Sequence, residues 1–140
     1  MIYDGRVDRV GIARKLEAHF GADPAPPAAV YLFGSLARGE ARPDSDVDVA
    51  ILYARDGDGD AEARRLDVEG DLERILRRPV DLVVLDHAPV DLVHRVLREG
   101  VLVHEADRAA RVRFEVHARN EYFDLVPFLR RYRRMPEAEV

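Results

Sequence analysis

The sequence predicts an α/β (α+β) domain in which helices cover a small mixed sheet. The first observation is a set of short apolar runs typical of buried strands, at Ala28–Phe33, Val47–Tyr53 and Val80–Leu85. The second is the helical spacing of apolar residues elsewhere in the chain, as at Ile12, Leu16 and Phe20. The third is the connection between the first two runs. It is too short for a parallel crossover, so these two strands are predicted to be antiparallel.

The predicted elements follow one another as helix, strand, strand, helix, strand, helix, short strand and helix. The predicted helices are Val7–Phe20, Ala61–Arg77, Val90–Arg98 and Asp107–Arg134, and the predicted fourth strand is Val101–His104. In the second helix, four residues are expected to face the core: Leu66, Leu72, Ile75 and Leu76. Gly100 is a favoured C-terminal cap for the third helix, and Pro127 predicts a break in the last one.

Length and composition favour one domain. The chain has 140 residues, of which 47% are hydrophobic, and this is enough for a single core. We therefore expect one domain over residues 1–140, with a core of about 28–104 and a C-terminal helical segment of about 107–134. The formal net charge of −5 lacks the basic excess of a sequence-independent nucleic-acid binder, so direct nucleic-acid binding is not expected. No apolar run approaches the roughly 20 residues needed to span a bilayer, and the N-terminus lacks the apolar segment of a signal peptide. These features predict a cytoplasmic protein without membrane contact.

Gly34 and Ser35 follow the first predicted strand directly, at a point where a helical turn can begin. Backbone N–H groups at such a junction can hold phosphate oxygens, and glycine allows their close approach. Ten residues separate Ser35 from Asp46, and Asp48 follows two positions later. In an extended segment these two carboxylates point to the same side, where they repel each other unless a cation lies between them. Because Mg²⁺ prefers carboxylate and phosphate oxygens, the pattern predicts a site for a phosphate-bearing ligand and magnesium.

Asp81 is a third candidate carboxylate, alone in the apolar third strand. A carboxylate in such a strand is costly unless it is paired, hydrogen-bonded or metal-bound, and an ion pair with an arginine is as good an explanation as a metal. Beside Asp46 and Asp48 it would bind a second metal ion and activate an attacking hydroxyl. Asp86, just beyond the predicted strand end, is a rival for this role, and we favour Asp81 because of its position within the strand.

The segment Leu32–Leu52, LFGSLARGEARPDSDVDVAIL, resembles the defining motif of the DNA polymerase β-type nucleotidyltransferase superfamily, in its minimal nucleotidyltransferase (MNT) branch. The segment Pro79–Leu85, PVDLVVL, resembles the strand that carries the third carboxylate of this family. The C-terminal part, with VLREGVLVHEAD and a long helix, is also similar to this branch. The resemblance therefore covers nearly the whole chain and implies the nucleotidyltransferase fold.

The resemblance also implies ligands and roles for individual residues. ATP is the implied substrate and Mg²⁺ the implied cofactor, with Gly34 and Ser35 holding the triphosphate. Asp46, Asp48 and Asp81 are the implied catalytic carboxylates and metal ligands. Arg38 and Ser45 match motif positions near phosphate. An ion pair of Arg38 with Glu40 or Asp44, and a turn-capping role for Ser45, explain these two residues equally well.

Domains of this branch are often antitoxins paired with a HEPN-type ribonuclease toxin, so the resemblance implies such a partner in a hetero-oligomer. The implied activity is transfer of AMP from ATP to a hydroxyl of the toxin, specifically of a tyrosine, which silences the ribonuclease. Two alternatives remain open: a non-catalytic nucleotide-binding antitoxin that acts by occlusion, and a small-molecule nucleotidyltransferase of the antibiotic-modifying kind. The basic run Arg130–Arg134 fits either a solvated helix end or an interface with an acidic partner surface.

Overall fold

A computed structural model of the chain describes residues 9–42, 44–55 and 61–134, without the side chains of residues 61, 62, 129, 133 and 134. The first two residues of the predicted helix Val7–Phe20 lie outside this range. The elements, in chain order, are α1 (Arg9–Gly21), β1 (Ala29–Phe33), α2 (Gly34–Ala37), β2 (Val47–Leu52), α3 (Ala61–Leu76), β3 (Val80–Val84), a 3-10 turn (Leu85–His87), α4 (Val90–Glu99), β4 (Val101–Glu105) and α5 (Arg108–Arg134). The predicted order of the longer helices and the strands is confirmed, and their described bounds shift by one residue at most. The short helix α2 was predicted only as a point at which a helical turn can begin.

The four strands form one mixed sheet in the order β3-β2-β1-β4. β1 is antiparallel to both β2 and β4, which confirms the prediction for the first two strands. β2 and β3 are parallel, and α3 lies in the long connection that a parallel pair requires.

Helices cover both faces of the sheet, so the strands are apolar on both sides. On one face, α1 and α3 pack against alternate strand residues such as Val30, Leu32 and Val49. On the other face, α4 and α5 pack against the intervening residues, such as Tyr31 and Ala50. Asp48 and Asp81 lie on this α4/α5 face, because side chains two residues apart in a strand point to the same side and Ala50 and Val83 belong to this face.

α3 corrects part of the predicted core. Leu72 and Leu76 are buried as expected, but Leu66 is 55% exposed and Ile75 is 37% exposed. Six residues of a helix turn through about 600°, which places Leu66 roughly 120° away from Leu72 around the axis. An apolar side chain at that angle faces solvent.

Two further differences concern glycine and proline. Gly100 ends α4, but its φ of −78° is not left-handed. Glycine is needed there because a Cβ would lie 2.4 Å from the carbonyl oxygen of Val96. The predicted break at Pro127 is wrong, since α5 runs through this residue. Phe123, one turn earlier, is 67% exposed, so water can hydrate the carbonyl whose helical hydrogen bond the proline removes.

α5 is the longest helix, and its C-terminal end carries exposed Arg130, Arg131 and Tyr132. No helix within the described ranges is long and apolar enough to cross a membrane.

Candidate active site

One row of residues crosses three neighbouring strands where β1 ends and β2 and β3 begin. Asp48 of β2 is the register partner of Phe33 in β1 and of Asp81 in β3. Adjacent strands lie about 4.8 Å apart, so the two carboxylates are neighbours on the α4/α5 face. The pairing of β2 with β3 thus brings Asp81 to Asp48, as the sequence predicts.

Gly34 brings the turn after β1 against the Asp48 carboxylate. Its φ is +74°, a conformation that glycine adopts without the steric cost that Cβ imposes on other residues. A Cβ on Gly34 would lie 2.0 Å from Oδ2 of Asp48, far inside van der Waals contact. Backbone conformation and close approach therefore both require glycine at this position.

A cleft of about 340 Å³ opens at this junction. It is lined by the end of β1, the α2 turn, the two carboxylates and one side of α4, namely Phe33, Gly34, Ser35, Arg38, Asp48, Asp81, Val83, Leu92 and Arg95. Five predicted site residues thus meet in one cavity: Gly34, Ser35, Arg38, Asp48 and Asp81. The cleft joins backbone from the α2 turn, a hydroxyl, two carboxylates and two guanidinium groups.

The electrostatics of the cleft centre on the partly buried carboxylate of Asp48. Burial raises the pKa of Asp48 above its ordinary value, and the nearby carboxylates of Asp81 and Asp46 raise it further. Arg95 and Arg38 act in the opposite direction without cancelling the effect. A cation at Asp48 would relieve this repulsion.

Arg38 lines the cleft while making two ion pairs. Its Nε lies 3.1 Å from Oε2 of Glu40, and its Nη1 lies 3.3 Å from Oε2 of Glu99 on α4. The structure therefore shows the Glu40 pair that the sequence allowed. The Glu99 pair ties the α2 turn to α4 and was not predicted.

Ser45 and Asp46 lie beside the cleft and not in its lining. The Oγ of Ser45 accepts a hydrogen bond of 2.8 Å from the backbone N–H of Arg42, so this side chain caps the turn before β2. Asp46 is exposed and lies close enough to Asp48 to raise its pKa.

Asp86, the rival third carboxylate, has a structural role at the other end of β2. Its two carboxylate oxygens accept hydrogen bonds of 2.9 and 2.7 Å from the backbone N–H groups of Tyr53 and Ala54. Ala54 has a φ of 57°, so Asp86 holds the turn in which the chain leaves the sheet. Asp81, not Asp86, lies in the cleft.

Leu92 and Arg95 of α4 are cleft residues that the sequence did not reveal. The pattern of an amphipathic helix predicts that an arginine on its polar side is a solvated charge. Only the packing of α4 on the sheet shows that Arg95 faces Asp48.

The donor set fits magnesium that is shared with a phosphate ligand. Among the described residues, no three His, Cys, Asp or Glu side chains lie close enough together to hold a metal ion by themselves. Mg²⁺ is commonly bound by one or two carboxylates together with substrate phosphates, because it keeps a small octahedral shell of oxygen atoms. Asp48 and Asp81 supply such carboxylates in the lining of the cleft.

Comparisons with known proteins agree with this geometry. The chain matches the family model "Polymerase beta, Nucleotidyltransferase" over residues 15–109. No curated protein sequence matches it significantly.

Among solved structures, the fold is similar to a chain of a toxin-antitoxin crystal structure with AMP-PNP, at 28% identity and a TM-score of 0.64, over 85% of this chain and 90% of that one. A chain of the toxin-antitoxin MntA-HepT is 26% identical with a TM-score of 0.58, over 84% of this chain and 86% of that one. A complex of a tri-AMPylated Shewanella oneidensis HEPN toxin with its MNT antitoxin has the same fold, with 24% identity, a TM-score of 0.63 and coverage of 84% and 89%.

The family match spans more than half of the chain and includes the glycine-serine turn and all three candidate carboxylates. With the predicted sheet and the cleft in place, the chain belongs to the polymerase β nucleotidyltransferase family.

Proposed function

We propose that this protein is an MNT antitoxin that transfers AMP from ATP to a tyrosine hydroxyl of a partner HEPN-type toxin and so neutralises it. The observation that carries the proposal is the cleft in which Gly34 lies against Asp48 with Asp81 beside it. Two similar chains come from toxin-antitoxin structures, one of which contains the ATP analogue AMP-PNP. Since ATP is the donor, we place the reaction in the cytoplasm.

The triphosphate is assigned to the side of the cleft formed by the α2 turn. Gly34 allows the phosphate chain to approach the backbone, and the N–H groups and hydroxyl of this turn are donors for phosphate oxygens. Arg95 of α4 supplies positive charge on the facing side, and Arg38 supplies it at the end of the α2 turn. Arg38 reaches phosphate by exchanging its exposed ion pair with Glu40, which costs little because exposed pairs contribute at most about 1 kcal/mol.

Asp46, Asp48 and Asp81 are proposed to hold magnesium together with phosphate oxygens. When bound, Mg²⁺ supplies Lewis-acid stabilisation of the negative charge that develops on the transferring phosphate. The register of β2 and β3 places Asp48 and Asp81 side by side, and Asp46 lies just before β2.

Asp81 is proposed to orient the acceptor hydroxyl and to take its proton. It is the more exposed of the two carboxylates in the cleft, so a partner can reach it from solvent. The hydroxyl oxygen forms a bond to the α-phosphorus of ATP, the bond between this phosphorus and the bridging oxygen breaks, and pyrophosphate leaves. The proton passes to the Asp81 carboxylate and then to water.

The test is co-expression of the chain with the protein encoded by the neighbouring gene, followed by incubation of both purified proteins with α-labelled ATP and magnesium. Label on the partner, lost in Asp48→Asn and retained in Asp71→Asn, is the expected result. Asp71 is a matched control because it is an aspartate on α3, on the other face of the sheet. Absence of label with the unaltered chain contradicts the proposal.

The same variant separates catalysis from occlusion. If Asp48→Asn protects cells from the partner as well as the unaltered chain does, neutralisation does not require AMP transfer. Loss of protection together with retained binding of the partner supports the enzymatic route.

A further inference from the structure

A second groove lies next to the cleft on the α4/α5 face of the sheet. It has a volume of about 520 Å³, and Leu92 and Arg95 line both cavities. The cleft, at about 340 Å³, is near the lower end of the roughly 300–1,000 Å³ of small-molecule sites. A nucleoside triphosphate whose phosphates fill the cleft therefore has to extend into neighbouring space. The groove is the adjacent space, because Leu92 and Arg95 line both it and the cleft.

The groove offers aromatic, apolar and polar contacts that suit a nucleoside. Tyr122 of α5 stacks on His94 of α4, with ring centroids 3.4 Å apart and an angle of 1° between the planes. This pair offers a flat aromatic surface to a base, and Leu92 adds an apolar contact. Asp91, Arg95 and Arg98 also line the groove, so its polar groups include one hydrogen-bond acceptor and two donors. The Asp91 carboxylate accepts hydrogen bonds from ribose hydroxyls or an amino group, and the two guanidinium groups donate to ring nitrogens or to oxygen atoms of the base and ribose.

α5, the helix that carries Tyr122, is bonded to the sheet. The hydroxyl of Tyr31 in β1 donates a hydrogen bond of 2.6 Å to Glu115 of α5. Arg111 lies 3.0 Å from the same carboxylate, so α5 is bonded to the centre of the sheet. The helix that carries Tyr122 is therefore anchored to the sheet that carries the carboxylates of the cleft.

We propose that this groove binds the base and ribose of the nucleotide whose triphosphate occupies the cleft, with the base stacked on the Tyr122–His94 pair. The inference rests on the proposed function, because it assigns the nucleoside end of the same substrate. It makes α4 and α5 part of the nucleotide site.

The test compares binding of ATP with binding of inorganic tripolyphosphate, both with magnesium, by calorimetric titration of the full chain. Tyr122→Ala is expected to weaken ATP binding by about tenfold, the scale of a lost base–aromatic stack, and to leave tripolyphosphate binding unchanged. Tyr122→Phe retains the ring and is expected to bind ATP like the unaltered chain. Phe128→Ala is the matched control, since Phe128 is another aromatic residue of α5, is 65% exposed and lies outside the groove.

Unchanged ATP affinity in Tyr122→Ala overturns the proposal, as does an equal loss of affinity for ATP and tripolyphosphate. A variant that binds ATP normally but has a raised KM for the partner assigns the groove to the acceptor, which also overturns it. Failure of the proposed function gives a different result. In that case ATP binding depends on Tyr122 while no AMP reaches any partner.

Discussion

The two ends of β2 each place a partly buried aspartate beside the sheet, in opposite electrostatic surroundings. Asp86, near the C-terminal end, accepts backbone hydrogen bonds from Tyr53 and Ala54. Asp48, at the N-terminal end, faces the carboxylates of Asp81 and Asp46, and its pKa is raised. The fold stabilises the charged form of Asp86 with backbone hydrogen bonds, and it disfavours the charged form of Asp48.

This difference separates a structural carboxylate from a functional one. A hydrogen-bonded carboxylate stabilises the chain, whereas crowded carboxylates cost stability unless a cation joins them. Sites that bind charged ligands are often destabilising in the free protein for this reason. Substitutions at the two ends of β2 should therefore have opposite effects on stability and activity.

The largest expected effect is that of Asp48→Asn on AMP transfer. Loss of a carboxylate that holds the metal removes several kcal/mol of transition-state stabilisation, so we expect a fall of roughly 10³-fold in the rate. The unfolding temperature without magnesium should equal or exceed that of the unaltered chain, because like-charge repulsion is relieved. Transfer rates and thermal unfolding of the same preparation check both statements, and a destabilised variant would show that Asp48 supports the fold.

Gly34→Ala should disrupt the cleft, and Gly39→Ala provides a matched control. Both glycines have a φ of +74°, so either substitution costs about 1–2 kcal/mol of backbone strain. A Cβ at position 34 also strikes the Asp48 carboxylate, whereas one at position 39 meets no described atom within 4 Å. We expect Gly34→Ala to lose at least as much stability as Gly39→Ala in urea unfolding, and only Gly34→Ala to lose transfer, by about 100-fold. Equal activities would mean that the contact between Gly34 and Asp48 is not required.

The sequence predicts the site residues that lie close together in the chain better than those that only the fold brings together. The turn at Gly34 and the pair Asp46 and Asp48 lie within one short segment, and local spacing suffices to propose them. Asp81 needed the assumption that its strand lies beside β2, which the parallel pairing confirms. Arg95 was missed because its approach to Asp48 depends on how α4 packs on the sheet, and a helix surface gives no local sign of that.

The fold shows the same limit. Strands with continuous apolar runs were predicted closely, since burial on both faces leaves little ambiguity. Two predictions were wrong: Leu66 is exposed and does not face the core, and α5 continues through Pro127 without a break. Each outcome depends on what surrounds the helix and not on residue type. Tertiary context overrides local preference at such positions.

Asp86→Ala should lower stability without lowering nucleotide affinity. The substitution removes the acceptor of two backbone N–H groups, and hydrogen bonds to a charged group are worth about 1.5–3 kcal/mol. We expect the free energy of unfolding to fall by about 2 kcal/mol. The loss stays below that of two fully buried hydrogen bonds because the N–H of Ala54 is exposed and can bind water instead. Urea unfolding and ATP titration on one sample test this, and a loss of ATP affinity in the folded variant would place Asp86 in the site.

The pH dependence of stability should distinguish Asp48 from an ordinary surface aspartate. A carboxyl group with a raised folded-state pKa makes the folded chain bind more protons than the unfolded chain. Its destabilising effect is therefore full above the folded-state pKa and is lost as the pH falls through it. The gap in unfolding temperature between Asp48→Asn and the unaltered chain should close between neutral pH and about pH 4, without magnesium. A gap that widens on acidification would contradict the raised pKa.

The smallest expected effect is that of Ser45→Ala, and it decides between the two roles that the sequence left open for Ser45. In the structure its hydroxyl caps the turn before β2 and lies outside the cleft lining. Loss of this hydrogen bond at an exposed turn should cost about 0.5–1 kcal/mol of stability, with ATP affinity unchanged. Ser35→Ala is the control, since that hydroxyl lines the cleft and its loss should weaken ATP binding by a few-fold. If Ser45→Ala weakens ATP binding as much as Ser35→Ala does, the turn moves on nucleotide binding and Ser45 contacts phosphate. If only Ser35→Ala does so, the nucleotide site lies wholly on the α4/α5 side of the turn, and Ser45 serves to place Asp46 and Asp48 at the start of β2.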